Sequence, residues 1–142
     1  MATFTAIKNK KQTAGVLGYV LKYVQQEKKT CAGGFQFVTG HNCVPQSAYI
    51  EMMTTKQRFK KTDGRQFYHF VQSFAETDDL TPQEANAIGL ELAQREFPGF
   101  EVVVATHLDT NHIHNHLVVN SVNCETGRKL HQSADDLLKH RQ

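Results

Sequence analysis

The chain has only three cysteines in 142 residues, Cys31, Cys43 and Cys124, an odd and scattered set with no CxxC pair. That excludes a disulfide framework or a zinc ribbon and reads as reduced thiols. It also lacks a strong excess of charge of either sign. Sixteen lysines and arginines against 14 acidic residues leave a net +2, so bulk charge points only weakly to nucleic acid. No apolar run is long enough to span a bilayer. The amino-terminal MATFTAIKNKKQT has no apolar centre of the secretory kind, so a cytoplasmic protein without membrane insertion is expected. Internal repeats, low-complexity tracts and linkers are missing too. One domain is expected, large enough to bury a real core.

The basic residues that are present come in groups: Lys8, Lys10 and Lys11; Lys28 and Lys29; and Lys56, Arg58, Lys60, Lys61 and Arg65. Such groups can follow a phosphate backbone, Arg65 and Lys56 among them, although a solvated helix face is as common.

Periodicity orders the elements. TFTAIK (Thr3 to Lys8) alternates as a strand. Ala14 to Lys28 reads as a helix, with Val16, Leu17, Val20, Leu21 and Val24 as its buried stripe. Tyr23 falls at the edge of that stripe and Tyr19 further out, so neither is needed for the core. Gly33-Gly34 opens a strand FQFVT, and Gln46 to Lys61 reads as a second helix. Gln66 to Phe74 is a strand with His69, Val71 and Ser73 on one face. Thr81, Pro82 and Glu84 form an N-cap, a first-position proline and a capping-box acid, starting a helix that runs to about Glu96, before Pro98-Gly99. Phe100 to His107 is a buried strand, and Leu108 to Asn111 a loop that returns it as a hairpin. Cys124 to Gly127 reads as a turn, and Ser133 with Asp136 as a further helix cap. The order is strand, helix, strand, helix, strand, helix, strand, strand. It predicts an α+β fold with a sheet antiparallel at its centre.

The chemistry concentrates in HLDTNHIHNH, His107 to His116, which holds four of the eight histidines. As a strand it sets His112, His114, His116 and Val118 on one face. His114 and His116 form a pair two residues apart, and His107, at the end of the preceding strand, is the natural third ligand for a divalent metal. Three neutral nitrogens leave coordination positions open for water or a phosphate oxygen, which suits catalysis. Asp109 is placed to orient an imidazole through its second nitrogen. The bland alternative is a solvent-facing polar strand, and three histidines in register weigh against it. His112, at the strand's start, is better suited to substrate or loop contact than to ligation.

With its run to Asn120, the stretch HLDTNHIHNHLVVNSV resembles the third motif of relaxases, the DNA mobilisation nucleases of conjugative plasmids and transposons within the HUH endonuclease superfamily. LKYVQQEKKT (Leu21 to Thr30) is similar to their first motif, and FYHFVQSF with the capped TPQEA helix is similar to their second. The resemblance covers nearly the whole chain, in the family's order. It implies a central antiparallel sheet of about five strands flanked by helices. It implies Tyr23 as nucleophile, with Tyr19 one turn away as the rival, and His107, His114 and His116 as metal ligands. Asp109 becomes the motif aspartate; Ser73 becomes a DNA contact, with Tyr19 and His112 as further candidates.

The implied activity is metal-dependent, site- and strand-specific nicking of single-stranded DNA at a transfer origin. Tyrosine transesterification would leave a 5'-phosphotyrosine and a free 3'-hydroxyl. A phenol ionises near pH ~10, so the nucleophile needs activation. Manganese or magnesium is the expected ion, with zinc, cobalt or nickel acceptable to the same nitrogens. Accessory and coupling proteins of a relaxosome are the implied partners, and the chain is expected to be the amino-terminal part of a longer protein. Two other readings stand beside it. An HUH replication initiator generally has its nucleophile after the histidines, whereas no tyrosine follows Tyr68. A non-catalytic, metal-containing DNA-docking module would make Tyr23 dispensable for cleavage. The sequence has no HExxH pattern of a hydrolytic zinc enzyme.

Overall fold

A computed structural model describes residues 2–131. Strand β1 (Thr3–Ile7) leads to helix α1 (Ala14–Val24), whose N-cap Thr13 accepts the Val16 N–H through its hydroxyl. The expected helix to Lys28 is interrupted. The chain leaves helical hydrogen bonding at Gln25 and Gln26 and makes one more helical turn, α2 (Glu27–Thr30). Gly33 and Gly34, both at positive φ, do not open a strand but turn a minimal hairpin, β2 (Cys31–Ala32) with β3 (Phe35–Gln36). The strand proper is β4 (Val38–His41). Helix α3 (Ala48–Arg58) follows a 3-10 turn at Pro45–Ser47. Then come β5 (Phe67–Ser73), α4 (Pro82–Glu96), β6 (Val102–His107) and β7 (His114–Asn120). The capping box of α4 forms as expected: Glu84 N–H donates to the Thr81 hydroxyl at 3.1 Å, and Thr81 N–H to the Glu84 carboxylate at 2.9 Å. The expected Ser133–Asp136 cap lies outside the described residues.

Five strands form one antiparallel sheet in the order β1-β5-β7-β6-β4. Helices cover both faces, which is why β6 reads as a nearly unbroken apolar run rather than an alternation. On one face α1 and α3 contribute Leu17, Val20, Leu21, Val24, Ala48 and Met52 against Phe67, Val103, Ala105 and Val118. On the other, Leu92, Ala93 and Phe97 from α4 and its C-cap meet Phe4, Phe70, Val102, Val104, Leu117 and Val119. The stripe read on α1 is the buried one, with Tyr23 38% and Tyr19 68% exposed. Tyr68 is core, whereas Tyr49 is partly exposed with its ring against Gly18.

A buried polar layer fixes how β7 sits. Asn115 donates to the Ala85 carbonyl (2.8 Å) and to Gln72 (3.0 Å), and accepts from the Thr106 hydroxyl (2.6 Å), to which Asn86 also donates (3.1 Å). Gly89 of α4 lies directly over it: a Cβ there would stand 2.6 Å from Asn115 Nδ2 and 2.8 Å from Val104 Cγ1. At the opposite end of the sheet Lys56 is fully buried and donates to Asn120 Oδ1 (2.5 Å), while Asn120 Nδ2 donates to Glu101 (2.8 Å) and Thr55 donates to the same carboxylate (3.0 Å). Lys56 is therefore a structural cation and not a phosphate tracker. Arg65 likewise lies over the Tyr68 ring at that end.

Gly89→Ala forces α4 off the polar layer and lowers unfolding free energy by about 1–3 kcal/mol, read as a lower urea midpoint at unchanged m-value. Lys56→Met leaves Glu101 buried without its cation and destabilises by roughly 3 kcal/mol; a more stable variant would show that the network only opposes folding.

Candidate metal centre

The β6–β7 register brings the histidines together. His107 stands directly opposite His114, and Ala105 opposite His116, so all three imidazoles leave the same sheet face. Their ring centroids are 4.1 to 5.1 Å apart. One ligand atom from each can be chosen so that all lie within 4.8 Å of one another. His107 and His116 are buried and His114 is half-buried at the rim. The second nitrogen of each ring is already engaged. His107 Nε2 donates to the Val24 carbonyl at 2.8 Å, and His114 Nδ1 to the His112 carbonyl at 3.0 Å. His116 Nδ1 meets Nε2 of His69, on β5, at 2.7 Å. Each ring thus keeps one nitrogen free of hydrogen bonds among the described residues, and three such imidazole nitrogens are a donor set that a borderline divalent cation accepts.

Burial favours the neutral form of His107 and His116, as ligation requires, and of His69 beside them. Desolvation, with the other histidines adding to it, lowers the pKa of His116 strongly and that of His69 to about 4; desolvation also lowers that of His107.

Tyr23, on the last turn of α1, sets its ring edge-on to His107, 6.5 Å between centroids. Tyr19 stacks on Tyr23 from one turn back, at 6.3 Å. Ser73 ends β5 in register with His114, half-buried on the triad's face. His112 is exposed in the loop and serves the centre through its backbone, since its carbonyl orients His114.

Asp109 does not orient an imidazole. Its carboxylate pairs with Lys29 Nζ at 2.9 Å, and the second nitrogen of His107 is taken by Val24 instead. The pair shifts both partners toward their charged forms, raising the pKa of Lys29 and lowering that of Asp109. Lys29 Nζ also lies 5.3 Å from the Tyr23 ring centroid, and its carbonyl accepts the Leu108 N–H at 2.7 Å. Two residues of the site, Lys29 and His69, were therefore not identified from sequence. His69 shares the facial parity of Ser73, but only the pairing of β5 with β7 reveals its partner. Lys29 was visible as one of a basic pair, without any signal that it turns toward Tyr23.

Residues 19–142 match the family model described as "Relaxase: MobA/VirD2-like, nuclease domain". The chain belongs to this relaxase family. Among curated relatives, a protein named "Protein rlx" from Staphylococcus aureus is 34% identical over 142 residues, covering the whole of this chain and 39% of its own length. A second Staphylococcus aureus protein of that name is 36% identical over 129 residues, 91% of this chain and 37% of its own. The "Group II intron-interrupted relaxase LtrB" of Lactococcus lactis subsp. cremoris is 37% identical over 93 residues, 64% of this chain and 16% of its own. The relaxase domain thus spans less than two fifths of these relatives. Its five-stranded antiparallel sheet with flanking helices is the fold the resemblance implied. No described helix is long and apolar enough to cross a membrane.

The neutral imidazoles set a pH dependence. Unfolded histidines protonate near pH ~6.5, whereas the folded domain resists protonation of His69, His107 and His116 until lower pH. Below that value the unfolded chain binds more protons, so stability falls with pH, by up to about 1.4 kcal/mol per unit for each ring. The metal-free relaxase domain is expected to show a lower urea midpoint at pH 5.5 than at pH 7.5. Equal midpoints would contradict three buried neutral imidazoles.

Proposed function

We propose that this domain nicks single-stranded DNA at a transfer origin in conjugative mobilisation, by transesterification onto Tyr23, within a longer cytoplasmic protein. The observation that carries the reading is the position of Tyr23: at the end of α1, edge-on to His107 and beside the Lys29 cation, at the border of the histidine triad. His107, His114 and His116 would hold the divalent ion, manganese or magnesium, through the nitrogens their carbonyl and imidazole partners leave free. Bound there, such an ion supplies Lewis-acid neutralisation of the scissile phosphate's non-bridging oxygens.

The remaining steps belong to the side chains. Tyr23 Oη gives up its proton to solvent and forms a bond to phosphorus as the bond to the 3'-oxygen breaks, and the leaving oxygen takes a proton from solvent to become a 3'-hydroxyl. One phosphodiester is exchanged for another, so the strand can be rejoined without a nucleotide cofactor. Lys29 faces the phenol ring with a charge fixed by Asp109. An exposed ion pair of this kind adds little stability; its use is to stabilise negative charge on the departing phenol proton's oxygen. Ser73, beside His114, and Tyr19, exposed next to Tyr23, are suited to hold the strand on either side of the attacked phosphate, Tyr19 by stacking on a base. The exposed His112 is the remaining DNA contact. Phosphate tracking near the centre falls to the Lys28–Lys29 pair, because the groups around Lys56 and Arg65 lie at the other end of β5, roughly 20 Å away along a seven-residue strand. Relaxosome accessory and coupling proteins complete the proposed partners.

The test uses labelled single-stranded oligonucleotides carrying a transfer origin, with manganese or with chelator, and a denaturing gel. Wild type forms a covalent protein–DNA adduct only with metal. Tyr23→Phe abolishes it, Tyr19→Phe keeps it, and Lys29→Met slows it by roughly tenfold or more. An adduct that survives in Tyr23→Phe and disappears in Tyr19→Phe would move the nucleophile one turn back. DNA binding without any adduct would leave a docking module.

A further inference from the structure

His107 and His114 each donate to a backbone carbonyl. A carbonyl only accepts, so those contacts fix the proton of each ring on the nitrogen away from the triad and leave the inward nitrogen bare. His116 is held differently. Its outer nitrogen, Nδ1, meets the Nε2 of His69 at 2.7 Å, and an imidazole nitrogen can play either part. Two neutral arrangements satisfy this contact. In the first, His69 Nε2–H donates to His116 Nδ1, and the His116 proton sits on Nε2, pointing into the triad and closed to a metal. In the second, His116 Nδ1–H donates to His69 Nε2, and the His116 Nε2 lone pair is open.

The surroundings separate the two. Without an ion, the second arrangement would aim three lone pairs at one another from rings 4.1 to 5.1 Å apart. The first places a donor among acceptors, which relieves that repulsion. His69 Nδ1 is buried with no hydrogen-bond partner among the described residues, so nothing on its far side selects a tautomer. The choice is left to the contact with His116 and, through it, to the ion.

Resting on the reading of the triad as a metal centre, we propose that His69 is a positioning residue that sets the tautomer of His116, its own proton moving from Nε2 to Nδ1 when the site is loaded. The balance is neutral. On each ring a proton leaves Nε2 and one is held at Nδ1, both rings stay uncharged, and this pair releases no net proton to solvent. Among the described residues, His69 is thus the side chain through which occupancy would reach beyond the ion's own ligands. Because β5 carries both His69 and Ser73, the switch sits on the same strand as a proposed DNA contact.

The experiment needs no DNA. In ¹⁵N-labelled protein, long-range proton–nitrogen correlation spectra assign the protonated nitrogen of each histidine as diamagnetic zinc is titrated in. His69 is expected to carry its proton on Nε2 in chelator and on Nδ1 with zinc, while His107 and His114 keep one tautomer throughout. Zinc affinity by competition calorimetry is expected to fall 10- to 100-fold in His69→Leu. His69→Gln, whose side-chain oxygen can accept from His116 Nδ1, recovers most of that loss. His69 protonated on the same nitrogen in both states would overturn the proposal, as would wild-type zinc affinity in His69→Leu. If His69→Leu does not fold, the wild-type spectra and His69→Gln still decide it. A tautomer change with zinc but no DNA adduct leaves this inference standing and removes the nicking reading. No zinc binding at all removes the metal centre and this inference together.

Discussion

Everything at the centre depends on one pairing, the antiparallel register of β6 against β7. It sets His107 across from His114 and brings His116 onto the same face two residues on. A slip of one residue would turn every imidazole toward α4 and every core valine toward the wrong layer. Alternating hydrophobicity alone protects this register weakly in β6, because both faces of that strand are apolar. The specificity comes from the polar layer beneath. Asn115, between His114 and His116 on β7, finds its partners Thr106, Gln72 and the Ala85 carbonyl only in this alignment. A shifted strand would bury an unsatisfied amide, which is far more costly than a misplaced methyl.

The same sheet sorts its polar groups by end. One rim carries neutral imidazoles, a phenol and a lysine whose charge is held by a carboxylate. The far rim carries Lys56, Asn120, Glu101 and Thr55, hydrogen-bonded to one another, with Asn120 also donating to the Met52 carbonyl. The distinction is between groups that face outward with a nitrogen unspent and groups that consume one another. Burial depresses the pKa of Lys56, to about 8, as it does that of His69. Only the second lies where an ion can reach a neighbour. A displaced pKa therefore marks both ends and identifies neither; geometry makes the difference.

Much of this was legible in the sequence because it is local. The Thr81 capping box, the buried stripe of α1 and the facial parity of His114 and His116 depend on neighbours a few residues apart, where helix and strand periods act directly. What escaped depends on contacts between distant segments. Lys56 sits in a basic run of a helix and gave no sign of burial, since its partners Asn120 and Glu101 arrive from two other strands. Asp109 was assigned to an imidazole from its spacing, but Lys29, 80 residues earlier, reaches it first. Gly33-Gly34 read as the opening of a strand because glycine pairs punctuate; that they turn a hairpin follows from the positive φ of both.

The interruption after Val24 looks at first like a lapse in a good helix. In an uninterrupted α-helix the Val24 carbonyl would be committed to the N–H of Lys28. Because the helix stops there, that oxygen is one of the unpaired acceptors of a helix carboxyl end, where the backbone dipole favours positive charge. His107 takes it. The same break lets the following turn carry Lys29 back toward Tyr23. An end of secondary structure is therefore a working part of the histidine cluster. A substitution that extended α1 through Gln25 and Gln26, though it would strengthen the isolated helix, would withdraw the acceptor that orients one histidine and displace the cation beside the phenol.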